Sequence, residues 1–487
     1  MIKNNYTITK QGCVIEKDKF SDNEINWIKA DLTVRPYTNF MSKECFKIYL
    51  ENEYQLCMPK FYALEKFSIP CIIDNNSGNN INATFLLELR DDQKNIISPI
   101  LDSYKKNGGG ILSLPCGFGK TIIALYFIAL LQKKTLIIVH REFLITHWSE
   151  KIKECLKNVT IKVIRSTTEK IPLCDIAICM LQTLSIKDFP NGYFDSFGHI
   201  IIDECHRVST TVFSTIFFKI NSNYMLGLSA TPERKDNMTK VIKWHIGNVI
   251  NISTVKHIIN IDVKRFVLNY NKEKILSNNE FIFSNKITKL LDDDLRNNII
   301  INLIIYEIKK CSERHFLVLS DRVEHLKKLK KLFNNKKINS VGLFIGEMSK
   351  DELTSSKKCR IILGTYSMAN EGLDIPTLNC LILTSPKNEV LQTIGRISRL
   401  QIGSNNIKPL IIDLIDILPV FINESDKRLA LYKKYNYNIT DYIYNENNKI
   451  FEKNLSKNKN YNIYLLNENN IPKNNSLENL FNEFNKF

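Results

Sequence analysis

The run LPCGFGKT at residues 114–121 carries the strongest chemical signature in this 487-residue chain. It stands between an apolar run of strand type, GILSLP, and a stretch of helical type that begins at Lys120. Pro115, Cys116, Gly117, Phe118 and Gly119 form a short loop whose glycines let backbone N–H groups turn inward around an anion. The helix N-terminus that follows adds positive dipole character. Lys120 can reach the β- and γ-phosphates of a nucleoside triphosphate, and Thr121 can offer its hydroxyl to Mg2+. The usual spacing of such loops, GxxxxGK[ST], asks for glycine at position 114, where this chain has Leu114. The competing reading is a glycine-rich turn with no ligand. The Gly-Lys-Thr ending at a strand–helix junction weighs against it.

A second run, HIIIDECH at residues 199–206, places Asp203 and Glu204 at the end of an apolar strand. A carboxylate there can hold Mg2+ directly or through water, and an adjacent carboxylate can polarise the attacking water. An Asp-Glu pair after a strand is common in solvated loops. Its place downstream of a phosphate loop, in the same α/β unit, favours the chemical reading.

The elements that must position these residues can be read from hydrophobic periodicity. Gln93, Ile96, Ile97, Ile100, Leu101 and Tyr104 recur at helical spacing. FLLEL, GILSLP, TLIIVH, DIAICM, HIIID and YMLGLS are apolar runs of strand length with helical stretches between them. Such runs predict a parallel sheet covered on both faces. The pattern repeats in HFLVLS, SVGLFIG, CRIILG, CLILTS and PLIIDL. The chain therefore divides into four sections. Residues 1–88 are mixed, with capping-box spacing at Ser21 and Glu24 before a short helix, strand character in LTVRPY and a turn at SGNN. Residues 89–254 and 255–420 are two α/β units in series. Residues 421–487 open with a helix through Tyr435 and continue as an Asn- and Lys-rich tail that buries little.

Composition bounds the function classes. Apolar residues make up 44% of the chain, enough for large cores. The formal charge of +16 suits a polyanionic partner, since each neutralised phosphate releases a counterion. A lysine-rich surface accounts for the same charge. Twelve cysteines include no CxxC pair, and several sit in apolar runs, so they read as reduced core residues of an intracellular protein. No apolar stretch has transmembrane length and the start lacks a signal-peptide core, so the expectation is a soluble chain without a membrane partner.

In their order, these motifs resemble those of superfamily 2 helicases. LRDDQ, with Arg90 and Gln93, resembles the segment that contacts adenine. LPCGFGKT resembles motif I, VHREFLITHW motif Ia, MLQTL motif Ib, DECH motif II and SATPERKD motif III with an extension. DDDLRNNIIINLI resembles the opening of the second lobe, GTYSMANEGLDIP motif V and QTIGRISR motif VI. The resemblance implies an α/β fold of two tandem RecA-like P-loop lobes, with a small N-terminal domain and a C-terminal helix plus tail. Ser229 and Thr231 are small hydroxyl residues suited to bridging the ATP site and a nucleic-acid cleft. Glu371, Gly372 and Asp374 lie in a loop that can meet nucleotide and backbone. Gln392, Arg396 and Arg399 share one face if the segment is helical. An arginine at the cleft is worth about 10³ to 10⁵ in rate in related NTPases.

Within the superfamily the likeness is to the XPB-like and phage recombination-type branch, and to its relatives in poxviruses and other large DNA viruses. MPKFYALEKF, LTVRPYTNF and RLALYKKYNYNI carry that likeness outside the motor. It implies an ATP- and Mg2+-dependent helicase or translocase on duplex and single-stranded DNA. It further implies late transcription and nascent transcript release, with RNA polymerase and a release cofactor as partners. For a viral protein it implies the host cytoplasm, with the virion as a second location. A recombination or repair helicase, an RNA helicase and a catalytically silent nucleic-acid-binding subunit are the alternatives.

Overall fold

The computed structural model describes all residues except 1–5, 10–11, 37–44, 68–71, 74–76, 116, 167–172, 210–214, 221, 234–237, 251–259, 269–282, 374, 398–406, 446–449, 454–462 and 465–487. The chain forms two compact units, Met1–Val255 and Lys256–Phe487.

In the first unit, an N-terminal sheet has the strand order Leu50–Glu51, Gln55–Met58, Gly12–Glu16, Tyr6–Thr9 and Ile72–Ile73. The helix Asp22–Asp31 beside it is opened by the expected capping box. Ser21 Oγ accepts from the Glu24 N–H at 3.4 Å, and the Glu24 carboxylate accepts from the Ser21 N–H at 2.9 Å. LTVRPY contributes only the short strand Thr33–Val34. The helix Lys60–Lys66 joins this sheet to the larger part of the unit. Adjacent residues on a helix point to different sides. Phe61 enters the core of the larger sheet, whereas Tyr62 packs with Met238, Val241 and Trp244 in the N-terminal core. The rings of Tyr62 and Trp244 meet edge-on at 5.2 Å.

The larger sheet has six parallel strands among the described residues. Their order is Ile161–Ile164, Ile176–Met180, Thr135–Val139, His199–Ile202, Tyr224–Ser229 and Gly109–Ser113. Alternation along each strand splits the apolar runs between two cores. Ile137, Val139, Ile176, Ile178, Ile201, Leu226 and Leu228 face the helices Asp91–Asn107, Lys120–Leu131 and Glu142–Cys155. Leu136, Ile138, Ala177, Cys179, Ile200 and Ile202 face the opposite layer, with Phe194, Ile216 and Ile246. The sheet is thus covered on both faces, as the continuous apolar runs predict. FLLEL departs from its expected strand. Only Thr84–Phe85 is extended, paired with Leu156–Lys157, and Leu86 and Leu87 stand exposed.

The second unit repeats the plan. Its parallel strands run in the order Val341–Phe344, Ile361–Thr365, Phe316–Ser320, Cys380–Leu383, Leu410–Asp416, Asp262–Leu268 and Asn438–Asn445. Ile450–Lys453 and Ile463–Tyr464 extend the edge antiparallel. Composition did not announce the strand Asn438–Asn445, which lies in the Asn-rich section. Its Ile and Tyr residues suit a pleated surface, and Tyr442 stacks on Phe266 at 5.0 Å. NLSKNKNYN lies outside the described residues.

Two buried arginines fasten helices to opposite faces of this sheet. Arg296 donates from Nε and Nη2 to the Asp416 carboxylate at 3.1 and 3.0 Å and from Nη2 to the Thr384 carbonyl at 2.6 Å. Arg428 pairs with Asp413 at 3.0 and 2.8 Å. Asp413 and Asp416 are an odd number of residues apart on one strand, so they face different layers. Removing one member of such a buried pair leaves an uncompensated charge, at a cost of about 3–5 kcal/mol.

Three histidines are buried in the neutral form. Burial pushes His199, His245 and His325 down to about 3, with the Arg296 and Lys328 charges adding to the effect at His325. His325 bridges Ser320 Oγ at 2.9 Å and Asn297 Oδ1 at 2.8 Å, while His245 stacks on Phe217 at 4.8 Å. The unfolded chain takes up these protons first, near pH ~6.5. The stabilisation is therefore complete above that pH and is lost progressively as pH falls toward 3. Lowering the pH from 7 to 5 is expected to cost about 2 kcal/mol per buried histidine. In denaturant unfolding, His245→Phe, which keeps the stacked ring, should remove about that much of the loss in its unit. An unchanged pH dependence in the variant would show that His245 does not contribute in this way.

Candidate active site

The phosphate loop emerges where the strand Gly109–Ser113 ends, and the Leu114 N–H donates to the Ser229 carbonyl of the neighbouring strand at 3.2 Å. Gly117 and Gly119 adopt positive φ, +83° and +96°. The φ of +96° at position 119 favours glycine, and a Cβ there would lie 2.5 Å from Gln93 Nε2 and push that amide from its place. The Phe118 carbonyl accepts from Arg90 Nη2 at 2.8 Å and Gln93 Nε2 at 3.0 Å, and the Arg90 guanidinium lies over the Phe118 ring at 5.7 Å. Thus Arg90 and Gln93 clamp the loop from the helix Asp91–Asn107 and its N-cap.

Lys120 opens the helix Lys120–Leu131, and its ammonium donates back to the Leu114 carbonyl at 2.9 Å. Thr121 follows in the first turn, which carries no acidic residue. That helix end therefore presents unopposed positive dipole character to an anion. Pro115 and Gly117 are exposed at the loop. Cys116 lies outside the described residues.

Asp203 and Glu204 follow the strand His199–Ile202, which lies beside the strand that ends at Ser229 and one strand away from the strand that bears the loop. Asp203 Oδ2 accepts from the Trp148 indole N–H at 2.9 Å, and Oδ1 accepts from the Glu204 N–H at 3.0 Å. Glu204 adopts φ +47°, an uncommon backbone state for a non-glycine residue and one that clusters at functional sites. Its Oε2 lies 3.3 Å from His206 Nδ1, which lies 3.1 Å from Ser229 Oγ. Ser229 Oγ in turn accepts from the Thr231 N–H at 3.1 Å. His206 thus stands between the second carboxylate and Ser229, hydrogen-bonded to the serine hydroxyl and in close contact with the Glu204 carboxylate.

The donor set suits a hard divalent cation, which takes oxygen ligands. Asp203 and Thr121 supply a carboxylate and a hydroxyl of that kind. The sequence reading assigned no role to His206 or Trp148. His206 could have been found from its place in DECH. Trp148 has no such local signal, being a distant residue brought in by the helix Glu142–Cys155.

In the second unit, Arg396 Nη1 donates to the Leu373 carbonyl at 3.0 Å, joining QTIGRISR to GTYSMANEGLDIP. Gln392 is half-buried in the short helix Leu391–Ile394. This helix is followed by turns in which the Arg396 and Ile397 N–H groups donate to the Thr393 and Ile394 carbonyls at 3.0 and 3.1 Å. Gly372 ends the helix Tyr366–Gly372. Asp374, Arg399 and residues 234–236 of SATPERKD lie outside the described residues.

Comparison with known proteins gives the same order of parts. Residues 86–234 match the family described as "Type III restriction enzyme, res subunit", and residues 296–401 match "Helicase conserved C-terminal domain". The "Putative ATP-dependent RNA helicase L396" of Acanthamoeba polyphaga mimivirus is 33% identical over 464 residues, covering 91% of this chain and 88% of the relative. "Transcript termination protein A18" of Yaba monkey tumor virus is 27% identical over 373 residues, covering 69% and 76%. With the phosphate loop and the Asp-Glu strand end in one α/β unit and a second such unit following, the chain belongs to the superfamily 2 helicases, ATP-hydrolysing enzymes, in the group carried by large DNA viruses.

Proposed function

We propose that this helicase is an ATP-driven DNA translocase that acts in viral late transcription and releases nascent transcripts. The observation that carries the motor reading is the placement of His206 between Glu204 and Ser229, with Ser229 also receiving the Thr231 N–H. It sets the carboxylate read as hydrolytic close to the segment that resemblance assigns to coupling with nucleic acid. The cellular role is supported by the likeness to a transcript termination protein. RNA as the track is the second reading, favoured by the name of the mimivirus relative. ATPase activity measured across single-stranded DNA, duplex DNA and RNA distinguishes them.

Each residue has a role in this reading. Lys120 leaves the Leu114 carbonyl for the β- and γ-phosphates, and the loop N–H groups hold the same anion. Thr121 and Asp203 would hold Mg2+, which would supply charge neutralisation at the phosphates. Glu204 aligns the attacking water. Arg396 and Arg399 stabilise the charge that develops on the transferring phosphoryl group. Arg90, Gln93, Gly372, Asp374 and Gln392 complete the nucleotide site. Residues 1–88 form an accessory domain, 89–254 and 255–420 the two lobes, and 421–487 the closing helix and tail.

Lys120→Ala should lower ATP turnover by about 10² or more while leaving the thermal unfolding of the chain unchanged. Normal hydrolysis by the folded variant would remove the loop from the mechanism. Glu204→Gln should lower turnover by roughly 10²–10⁴ and still bind a labelled ATP analogue. If binding and hydrolysis fall together, Glu204 is structural.

The cellular role is tested on an immobilised polymerase elongation complex stalled by nucleotide omission, with purified protein and infected-cell extract added. RNA should reach the supernatant with ATP and the wild-type chain, and stay bound with Lys120→Ala. Retention of the RNA by a wild-type preparation that resolves branched DNA efficiently would replace this role with recombination or repair.

A further inference from the structure

Trp148 is wholly buried, yet its one polar atom is aimed at the candidate metal carboxylate. The indole N–H donates to Asp203 Oδ2 at 2.9 Å, and the Glu204 backbone N–H donates to Oδ1 at 3.0 Å. Both donors are neutral and each takes one oxygen. Together they fix the plane of the carboxylate and leave acceptor capacity on both oxygens for a further partner. Rotating Asp203 away would leave a buried indole N–H without water or another acceptor, so the orientation resists change.

The arrangement is built into the sheet. The strands Thr135–Val139 and His199–Ile202 are paired with Ile138 opposite Ile202, which fixes the start of Asp203. The helix Glu142–Cys155 follows the first of these strands and packs Trp148 into the same core as Ile137, Val139 and Ile201. Position and orientation of the carboxylate are therefore both set by regular structure, which holds a site more tightly than a loop does.

We propose that Trp148 is a positioning residue that aims Asp203 at a divalent cation and so sets the Mg2+ concentration the enzyme requires. The inference rests on Asp203 being the Mg2+ carboxylate, and its test separates the two. Binding of a slowly hydrolysed fluorescent ATP analogue to the full chain is titrated with Mg2+ for wild type, Asp203→Asn and Trp148→Phe. Asp203→Asn should lose the Mg2+ dependence. If it keeps the wild-type dependence, the metal assignment fails and the proposal falls with it.

Once that assignment holds, Trp148→Phe, which retains an aromatic ring and loses the N–H, should raise the Mg2+ half-saturation by about tenfold. Analogue affinity at saturating Mg2+ should return to the wild-type value, which a merely misfolded site would not do. An unchanged half-saturation overturns the proposal.

A second measurement does not depend on that variant folding. The chain contains three tryptophans, and 5-fluorotryptophan labelling with Trp27→Phe and Trp244→Phe assigns the Trp148 fluorine resonance by elimination. This resonance should shift when Mg2+ is added to the analogue complex, and should not shift in Asp203→Asn. A Trp148 resonance insensitive to Mg2+ in the wild-type chain likewise overturns the proposal.

Discussion

The strands that carry site residues in the first unit all run the same way, and their register brings their C-terminal ends together. Ser113 stands opposite Ser229, and Ile202 stands opposite Ile138 and Gly227. The phosphate loop, the Asp203–Glu204 pair and the Ser229–Thr231 segment therefore leave the sheet at one edge, where ligands of open α/β sheets bind. If one strand slipped by a residue, the faces of its side chains would exchange and the two cores would be lost. The chemistry depends on this alignment more than on any single side chain.

Local interactions then refine what the sheet positions. The loop is held from behind by two donors on the Phe118 carbonyl, so its glycines can adopt positive φ without leaving the loop loose. The Lys120 ammonium is satisfied by the Leu114 carbonyl at the start of the loop. In the second unit the corresponding work is done by charge in the interior. Arg296 and Arg428 tie one helix to each face of the strand Leu410–Asp416, and both pairs are wholly desolvated. Such pairs add little net stability over apolar packing, but breaking either is costly, which suits them to fixing register.

The sheets were legible in the sequence because strands buried on both faces read as continuous apolar runs. TLIIVH, HIIID and YMLGLS illustrate this, while the helix start at Ser21 was legible from the spacing of Ser21 and Glu24. The loop and the Asp-Glu pair were legible because their residues are contiguous. Other features depend on contacts that no local window contains. Trp148 reaches Asp203 only through the pairing of two strands, and Arg296 reaches Asp416 across a sequence separation of 120 residues. FLLEL has the composition of a strand but makes its pairing only at Phe85. The strand Asn438–Asn445 is polar enough to read as tail, and its place comes from the edge offered by Asp262–Leu268. At QTIGRISR the α-helix closes at Gly395 and tighter turns carry the chain through Arg396.

The helix Lys60–Lys66 has a consequence for dissecting the enzyme. Phe61 and Tyr62 seat themselves in two different cores, and the second core is completed by Met238, Val241 and Trp244 from the far end of the same unit. A fragment trimmed to begin at Leu89 would keep every motif of the motor yet strip the cover from a tryptophan, a valine and a methionine at once. The natural boundary for a minimal soluble enzyme is therefore upstream of the motifs, at the start of the N-terminal sheet.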